Sequence, residues 1–241
     1  MEIEEEIEAE EAEEAEVDLE VEEALTQWTK LKNQEKPSRL SSGINGFIPK
    51  RHVKMNLQLH QCTITDFQAV VELNETVYAS LPDKSVLRHN SPEMIASCLQ
   101  EPNVTLGFWD DEKLVAIGIL YVPQCLEEDH AHDVVGLLDN EITGLRDSEA
   151  LELDELEKLG IKAANQKLFL VRDGYRGLGL QQKLIQEVEK LAVQRGFNLL
   201  CTTCAPNNSF SINNFLKEGY RYAKTEEKYG GLVRNLYYKQ L

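Results

Sequence analysis

Long apolar runs, a basic N-terminus and paired cysteines are all missing from this sequence. No stretch reaches the roughly 18 apolar residues that a membrane-spanning helix needs. The chain is acidic from residue 2, which argues against a secretory or transit signal. Its five cysteines are odd in number and lack the spacing of a disulfide framework. We therefore expect no membrane association, reduced thiols and a cytoplasmic location.

Positive charge is missing from the N-terminal region. Residues 1–24 contain 14 acidic and no basic residues, so they carry −14 of the net charge of −17 and leave −3 for the rest. Such a segment argues against nucleic-acid binding, and residues 1–35 are interpreted as a marginal helix or solvated tail, with a basic protein as its possible partner. Residues 36–54 are rich in Pro, Gly and Ser. We therefore predict an acidic tail and linker over 1–54 and one domain over 55–241.

Hydrophobic periodicity from residue 57 onward predicts an α+β domain built on a mixed sheet. Alternating and continuous apolar runs predict strands, and apolar residues at helical spacing predict helices, in the order β-α-α-β-β-β-α-β-α-β-β. Two helix starts are predicted from their caps. Thr65 and Gln68 have the spacing of a capping box, and Ser91 precedes Pro92 as an N-cap residue.

Residues 123–166 interrupt this periodicity and are interpreted as an insertion with one helix over 147–159. His130 and His132 lie in it beside several carboxylates, but two histidines in a polar loop are usually solvated. The Cys201–Cys204 pair does not suit a metal either, because residues three apart on a strand point to opposite faces. We expect no metal site.

The most informative stretch is a short strand followed by a glycine turn and a long helix. The apolar run over 168–171 predicts a buried strand, and Arg176, Gly177 and Gly179 follow it. The exposed amides of a helix N-terminus, approached through glycines and joined by an arginine, form a typical anion site. The predicted helix has a single apolar stripe of Leu180, Leu184, Ile185, Val188, Leu191 and Ala192.

Two common anion-binding motifs do not match this stretch. A P-loop requires Lys and Ser or Thr after its glycines, whereas Leu180 and Gln181 follow Gly179. A dinucleotide fingerprint requires a third glycine, and Gln182 occupies that position. The second motif also needs an acidic residue about 20 positions further on, and the next predicted strand ends without one.

A third pattern does match. The segment Arg176-Gly177-Leu178-Gly179-Leu180 resembles the pyrophosphate-binding motif of the GCN5-related N-acetyltransferase (GNAT) family, in the form of a bacterial branch. Gln181 departs from the small residue that the motif has at this position. A second signature of the family resembles the segment after the next strand, where Asn208, Ser211, Phe215, Gly219 and Tyr220 match its positions. Asn208 is also the predicted N-cap, and Phe210, Phe215 and Leu216 are predicted core residues.

The resemblance implies the GNAT acyl-CoA N-acyltransferase fold with an acidic N-terminal extension. It implies an acetyltransferase that binds acetyl-CoA and transfers its acetyl group directly to an amine of a small molecule or peptide. A main-chain N–H near Phe169–Val171 is expected to face the thioester oxygen. The cofactor-binding residues implied are Phe169, Leu170, Val171, Arg176, Gly177, Leu178, Gly179, Leu180, Gln181, Asn208, Ser211 and Phe215.

Proton transfer is the part of the mechanism that the sequence leaves open. Many relatives protonate the leaving thiolate with a tyrosine at the position that Phe215 occupies here. Tyr229 is a candidate replacement, and packing alone is the other interpretation of that residue. Glu141, Glu152 and Asp154 are candidate bases in the insertion. The alternative function is a catalytically degenerate CoA-binding module that works through its acidic tail.

Overall fold

The computed structural model describes residues 19–30, 55–123, 158 and 160–241, and the protein there is organised around one seven-stranded sheet. The strand order is β1-β2-β3-β4-β5-β7-β6, in which only the β4–β5 pair is parallel. The predicted mixed sheet and the predicted order of elements are confirmed. The strands are β1 Leu57–Cys62, β2 Val104–Asp110, β3 Lys113–Tyr121, β4 Ala163–Val171, β5 Leu199–Cys204, β6 Arg221–Lys228 and β7 Leu232–Gln240.

Helices cover both faces of this sheet. Helix α1 includes residues 19–30, followed by α2 Phe67–Ser80, α3 Pro92–Cys98, α4 Leu180–Gln194 and α5 Ser209–Lys217. Successive residues of β3 point to opposite faces, as alternation along a strand requires. Ile117 belongs to the core beneath α2 and α3, whereas Ala116 belongs to the core beneath α4. The amphipathic helices thus bury their apolar stripes on two sides of one sheet.

The cap predictions for α2 and α3 have different outcomes. Ser91 caps α3 as predicted, because its Oγ accepts a hydrogen bond from the N–H of Met94 at 3.3 Å. The capping box predicted at Thr65 and Gln68 is wrong. A short 3-10 helix over Ile64–Asp66 precedes α2, so the box forms earlier, between Thr63 and Asp66. The pattern of a capping box does not distinguish a 3-10 turn from the first turn of the α-helix that follows it.

Helix α1 packs against the domain. Val21, Ala24, Leu25 and Trp28 lie against the core beneath α2 and α3. These residues recur at helical spacing, so the apolar residues of the acidic region form one stripe. The boundary predicted between residues 54 and 55 stays a prediction, and the linker over 36–54 lies outside the described residues.

Three details of the predictions are corrected by the structure of residues 160–241. Phe215 is buried as predicted, but Phe210 is 84% and Leu216 is 47% exposed, so the prediction of these two as core residues is wrong. The nine-residue α5 contacts the core through Ile212 and Phe215, and Phe210 lies on the opposite side of the helix. Strand β4 begins at Ala163, so the end of the segment interpreted as an insertion belongs to the sheet.

Candidate active site

The loop between β4 and α4 presents open backbone at the start of a helix. Gly179 is the N-cap residue of α4 in a left-handed conformation with φ of 72°, and no side chain caps the first turn. Gly174 and Gly177 also have positive φ, and a Cβ atom at any of the three would meet no atom within 4 Å. The first amides of a helix carry a partial positive charge. The loop therefore has the room and the donors to hold a phosphate group.

Arg176 stands beside this loop with its guanidinium half-exposed. It pairs with Asp173 at 3.0 Å, and its Nε donates to the carbonyl oxygen of Val171 at 3.4 Å. A further contact reaches Ser80 Oγ at 3.5 Å. These contacts hold the side chain over the loop. The Asp173 pair is exposed and worth little, so an incoming phosphate competes with it readily.

Strands β4 and β5 separate above the middle of the sheet. Their parallel pairing covers only Ala163 to Asn165 on β4, opposite Leu199 to Cys201 on β5. Beyond this point β5 continues along β7, and no strand in the described part of the chain pairs with the free edge of β4. The main-chain groups of that edge can pair with an extended ligand as they would with a strand.

A β-bulge changes the direction of β4 where this strand lines the gap between β4 and β5. Ile117 pairs with Leu170 and Ile119 with Lys167, so β4 has one residue more than β3 between these pairs. Leu168 absorbs the extra residue with φ of 52°, a conformation that is strained for a leucine. Backbone strain of this kind recurs at functional sites and is stable only where packing enforces it.

The packing that enforces the bulge is a contact between Phe169 and Gly118. A Cβ atom at Gly118 would lie 2.5 Å from Cε1 of Phe169, so only glycine admits the ring. Phe169 also meets Phe215 edge-to-face at 5.5 Å between centroids, and Phe215 meets Tyr220 at 5.0 Å. Phe215 is thus enclosed by aromatic rings, and the signature residue serves packing on this chain.

The gap opens into a pocket of about 580 Å³. Of the residues predicted for the site, Phe169, Asn208, Ser211, Phe215 and Tyr229 line it. The loop before α3 and the β6–β7 turn supply other walls of the pocket. Lining residues from these and the strands include Val86, Leu87, Arg88, Asn90, Lys167, Thr203, Glu227, Gly230 and Arg234.

The other predicted residues lie around the pocket. Leu170 and Leu180 are buried, and Leu178 is 42% exposed beside Gly179. Gln181, which departs from the motif, donates to Ser211 Oγ at 2.8 Å and accepts from Asn214 at 3.0 Å. It therefore links α4 to α5 beneath the loop. The candidate bases in the insertion lie outside the described residues, as do both of its histidines.

Tyr229 places a hydroxyl in the pocket, and Phe215 has no such group. Its Oη lies 3.1 Å from Thr203 Oγ1, and the guanidinium of Arg88 lies 4.9 Å from its ring centroid. Tyr229 itself has φ of 55°, which turns the chain sharply at the end of β6. The hydroxyl pair and the arginine hold the ring from two sides.

The pocket also contains cations that the sequence analysis did not single out. Arg88, Lys167 and Arg234 line it, and Glu227 is the one carboxylate among the described lining residues. Lys167 lies 3.5 Å from the centroid of the Tyr121 ring. A signal for Arg234 existed in the sequence, because it occupies an inward position in the alternating strand Leu232–Gln240.

Cys204 lies in the same pocket but is not a nucleophile. Its Sγ is 3.6 Å from Ser211 Oγ, and burial raises the pKa of its thiol to about 11. A thiol with that pKa is protonated at neutral pH, and only a thiolate attacks a thioester. Cys201 and Cys204 are both buried, and neither forms a disulfide within the described residues.

Comparison with solved structures identifies the fold of the chain. An Escherichia coli ribosomal-protein-S18-alanine N-acetyltransferase superposes with a TM-score of 0.53 at 15% identity, covering 76% of this chain and 93% of its own. A Streptococcus pneumoniae acetyltransferase of the GNAT family has a TM-score of 0.54 at 13% identity, covering 77% and 100%. The chain has the GNAT acetyltransferase fold.

A third structure with the GNAT fold was solved with a ligand. The Salmonella typhimurium protein yncA, solved with its cofactor acetyl-CoA, has a TM-score of 0.52 at 14% identity, covering 77% of this chain and 94% of its own. No protein-family profile and no curated protein sequence matches the chain. Within the described ranges, no helix is long and apolar enough to cross a membrane. The GNAT fold predicted from the two signatures is confirmed by structure, although the identity to these relatives is low.

Proposed function

We propose that this protein is a member of the GNAT family that transfers the acetyl group of acetyl-CoA to an amine. The observation that carries the proposal is the continuity of three features. An uncapped helix start opened by glycines leads to an unpaired strand edge, and that edge leads to a polar pocket. A diphosphate, an extended pantetheine arm and an acceptor require these three environments in this order.

The residues present fit acetyl-CoA at each point. The main-chain amides over 177–181, with Arg176, are placed to hold the diphosphate. The β4 edge over 169–171 is placed to pair with the pantetheine amides, and Asn208, Ser211 and Phe215 line the opposite wall. The thioester then lies near the bulge at Leu168, where a main-chain N–H stabilises the oxyanion.

The chemistry proposed is direct attack in a ternary complex. The neutral amine would form a bond to the acetyl carbon and lose a proton from its nitrogen, the carbon–sulfur bond would break, and the thiolate of CoA would take up a proton. A covalent acetyl-cysteine intermediate is disfavoured because Cys204 keeps its proton at neutral pH. The acceptor class includes small amines and peptide amines, and a basic partner for the acidic tail stays a prediction.

Two measurements test this function. Calorimetry is expected to show binding of acetyl-CoA, and a panel of amines is expected to include some that release free CoA thiol above the rate without amine. Binding without release from any amine would favour the CoA-binding module as the function. An absence of binding would contradict both functions.

Tyr229 is proposed as the acid that protonates the leaving thiolate. Tyr229→Phe is expected to lower kcat by about 10-fold to 100-fold, at or below the lower end of the range for general acids, because an alkyl thiolate leaves fairly well unprotonated. KM for acetyl-CoA is expected to stay the same. Steady-state thiol release over a range of pH is the measurement.

The matched control is Tyr222→Phe, on the same hairpin. Tyr222 is 52% exposed, and its hydroxyl contacts Thr225 rather than the pocket. This variant should retain full turnover. Equal rates for Tyr229→Phe and the wild-type protein would show that Tyr229 only packs against Thr203 and Arg88.

A further inference from the structure

Arg234 is a buried cation without a counter-charge in the described chain. Its residue exposure is 4%, and it lines the pocket from β7, the strand next to the edge strand β6. Nη1 donates to the carbonyl oxygen of Val233 at 2.8 Å, while Nη2 has no hydrogen-bond partner among the described residues. Burial lowers the pKa of this guanidinium below its usual value, although it stays charged at neutral pH.

The carboxylate opposite Arg234 in the sheet register pairs with two lysines instead. Glu226 is the residue opposite Arg234 in the β6–β7 ladder. Its two carboxylate oxygens pair with Lys224 at 2.9 Å and with Lys228 at 2.8 Å. Arg234 forms no ion pair with any described carboxylate.

A second arginine reaches the same region of the pocket. Arg88 comes from the loop before α3, and its guanidinium lies over the ring of Tyr229. It forms no ion pair within the described residues. The hydroxyl of Thr203 lies on the same wall, 3.1 Å from that of Tyr229. The wall therefore offers two guanidiniums, and Glu227, the one described lining carboxylate, is exposed.

A buried guanidinium without a partner destabilises a fold, so its presence in this pocket points to a partner that comes from outside. Proteins bury arginine when a planar, two-oxygen anion meets its fork of N–H donors. Carboxylates and phosphates are such anions. Binding residues often lower the stability of the free protein, because their buried charge is compensated only when the ligand binds.

We propose that the acceptor amine carries a carboxylate or phosphate group, which Arg234 binds with Arg88 beside it. This rests on the proposed function, since it assigns the acceptor class of the same pocket. The diphosphate loop lies at the N-terminus of α4, whereas Arg234 lies on β7 beside Thr203 and Tyr229. The anion site is therefore separate from the cofactor phosphates.

Matched amines test the proposal through turnover. Each anionic amine is paired with a neutral analogue: an amino acid with its amide, and phosphoethanolamine with ethanolamine. The anionic member of at least one pair is expected to have a kcat/KM about 100-fold higher, because a site built to bind a polar group rejects an analogue that lacks it. The amino-acid and phosphate pairs distinguish the two anions.

Arg234→Met is expected to abolish this preference while acetyl-CoA binding stays the same. Arg221→Met is the matched control, because Arg221 is exposed at the start of β6 and does not line the pocket. Equal kcat/KM for both members of every pair in the wild-type protein would overturn the proposal. An equal loss of kcat/KM for the anionic and the neutral amine of each pair in Arg234→Met would also overturn the proposal. That result would indicate that Arg234 acts on the thioester.

A second readout needs no turnover. If Arg234 awaits a ligand, Arg234→Met should unfold at the same temperature as the wild-type protein or a higher one. Orthophosphate should raise the unfolding temperature of the wild-type protein more than that of the variant, by about 3 °C at saturating phosphate. The cofactor loop also binds phosphate, but it contributes equally to both proteins.

The two proposals fail in distinguishable ways. Absence of acetyl-CoA binding contradicts the proposed function, and the phosphate-dependent difference between the two proteins still decides the anion site. A clearly lower unfolding temperature for Arg234→Met would show that the guanidinium has a structural partner, and equal phosphate shifts would show that it binds no anion. Either result overturns the proposal.

Discussion

Gly179→Ala is expected to weaken acetyl-CoA binding by about 100-fold, or about 2.7 kcal/mol, while the fold stays intact. The backbone of Gly179 has φ of 72°, and a Cβ atom there would meet no protein atom within 4 Å. The methyl group therefore does not clash with the protein. It instead projects from the N-cap of α4, where a diphosphate must approach the first amides closely.

Backbone strain is separated from this steric effect by a matched control. Gly196 has φ of 78°, also has open space around its Cβ position, and follows the C-terminal end of α4. Gly196→Ala carries a similar strain, about 1 kcal/mol, but lies at the other end of the helix. Calorimetric titration and thermal unfolding of both variants are the measurements. Similar losses of affinity in the two variants would show that strain is responsible and that the loop holds no diphosphate.

Gly118→Ala is expected to lower the free energy of unfolding by about 2 kcal/mol and to reduce turnover. The new methyl group would lie 2.5 Å from Cε1 and 2.9 Å from Cδ1 of Phe169, and 3.2 Å from Cβ of Leu184. Overpacking of this kind typically costs about 1–3 kcal/mol. The ring cannot move freely because Phe215 packs against its edge, so we expect β4 to shift at the bulge that faces the thioester. Urea unfolding and thiol release are the measurements.

The double variant Gly118→Ala/Phe169→Leu identifies the contact. A smaller side chain at 169 should recover about 1 kcal/mol of the loss, because residues in direct contact are coupled. Gly107→Ala is the control for overpacking on the other face of the sheet, since its Cβ atom would lie 2.6 Å from Cys62 Sγ, in the core beneath α2 and α3. It should lower stability without altering KM for acetyl-CoA. Strictly additive effects of the Gly118 and Phe169 changes would contradict the proposed contact.

The order of elements and the cofactor loop could be predicted from local patterns. A helical stripe beginning at Leu180, glycines before it and a buried apolar run before them depend on residues close together in the chain. Periodicity and glycine positions report such local preferences directly. The cap at Ser91 was correct for the same reason. The box at Thr65 was wrong because a 3-10 turn and an α-helix share the same local pattern.

The site could be predicted only in part, because its walls come from distant segments. Two signatures pointed to Phe169, Asn208, Ser211 and Phe215, and all four line the pocket. The role of Phe215 was not visible from its position, since its contacts with Phe169 and Tyr220 arise only when α5 packs on the sheet. The role of Gln181, which departs from the motif, also depends on helix packing, because its side chain forms hydrogen bonds to α5.

Local sequence patterns were therefore sufficient for the fold and for the glycine loop before α4, because both depend on neighbouring residues that share one strand, turn or helix. The chemistry of the acceptor side depends instead on long-range pairing. Arg234 lies beside Thr203 because β7 pairs with β5, and Arg88 reaches Tyr229 because its loop crosses to the β6–β7 turn. The sequence shows each arginine as one charge among 25 basic residues. Only the packed sheet shows that Arg234 is buried without a described counter-charge, in the pocket that we propose for the acceptor.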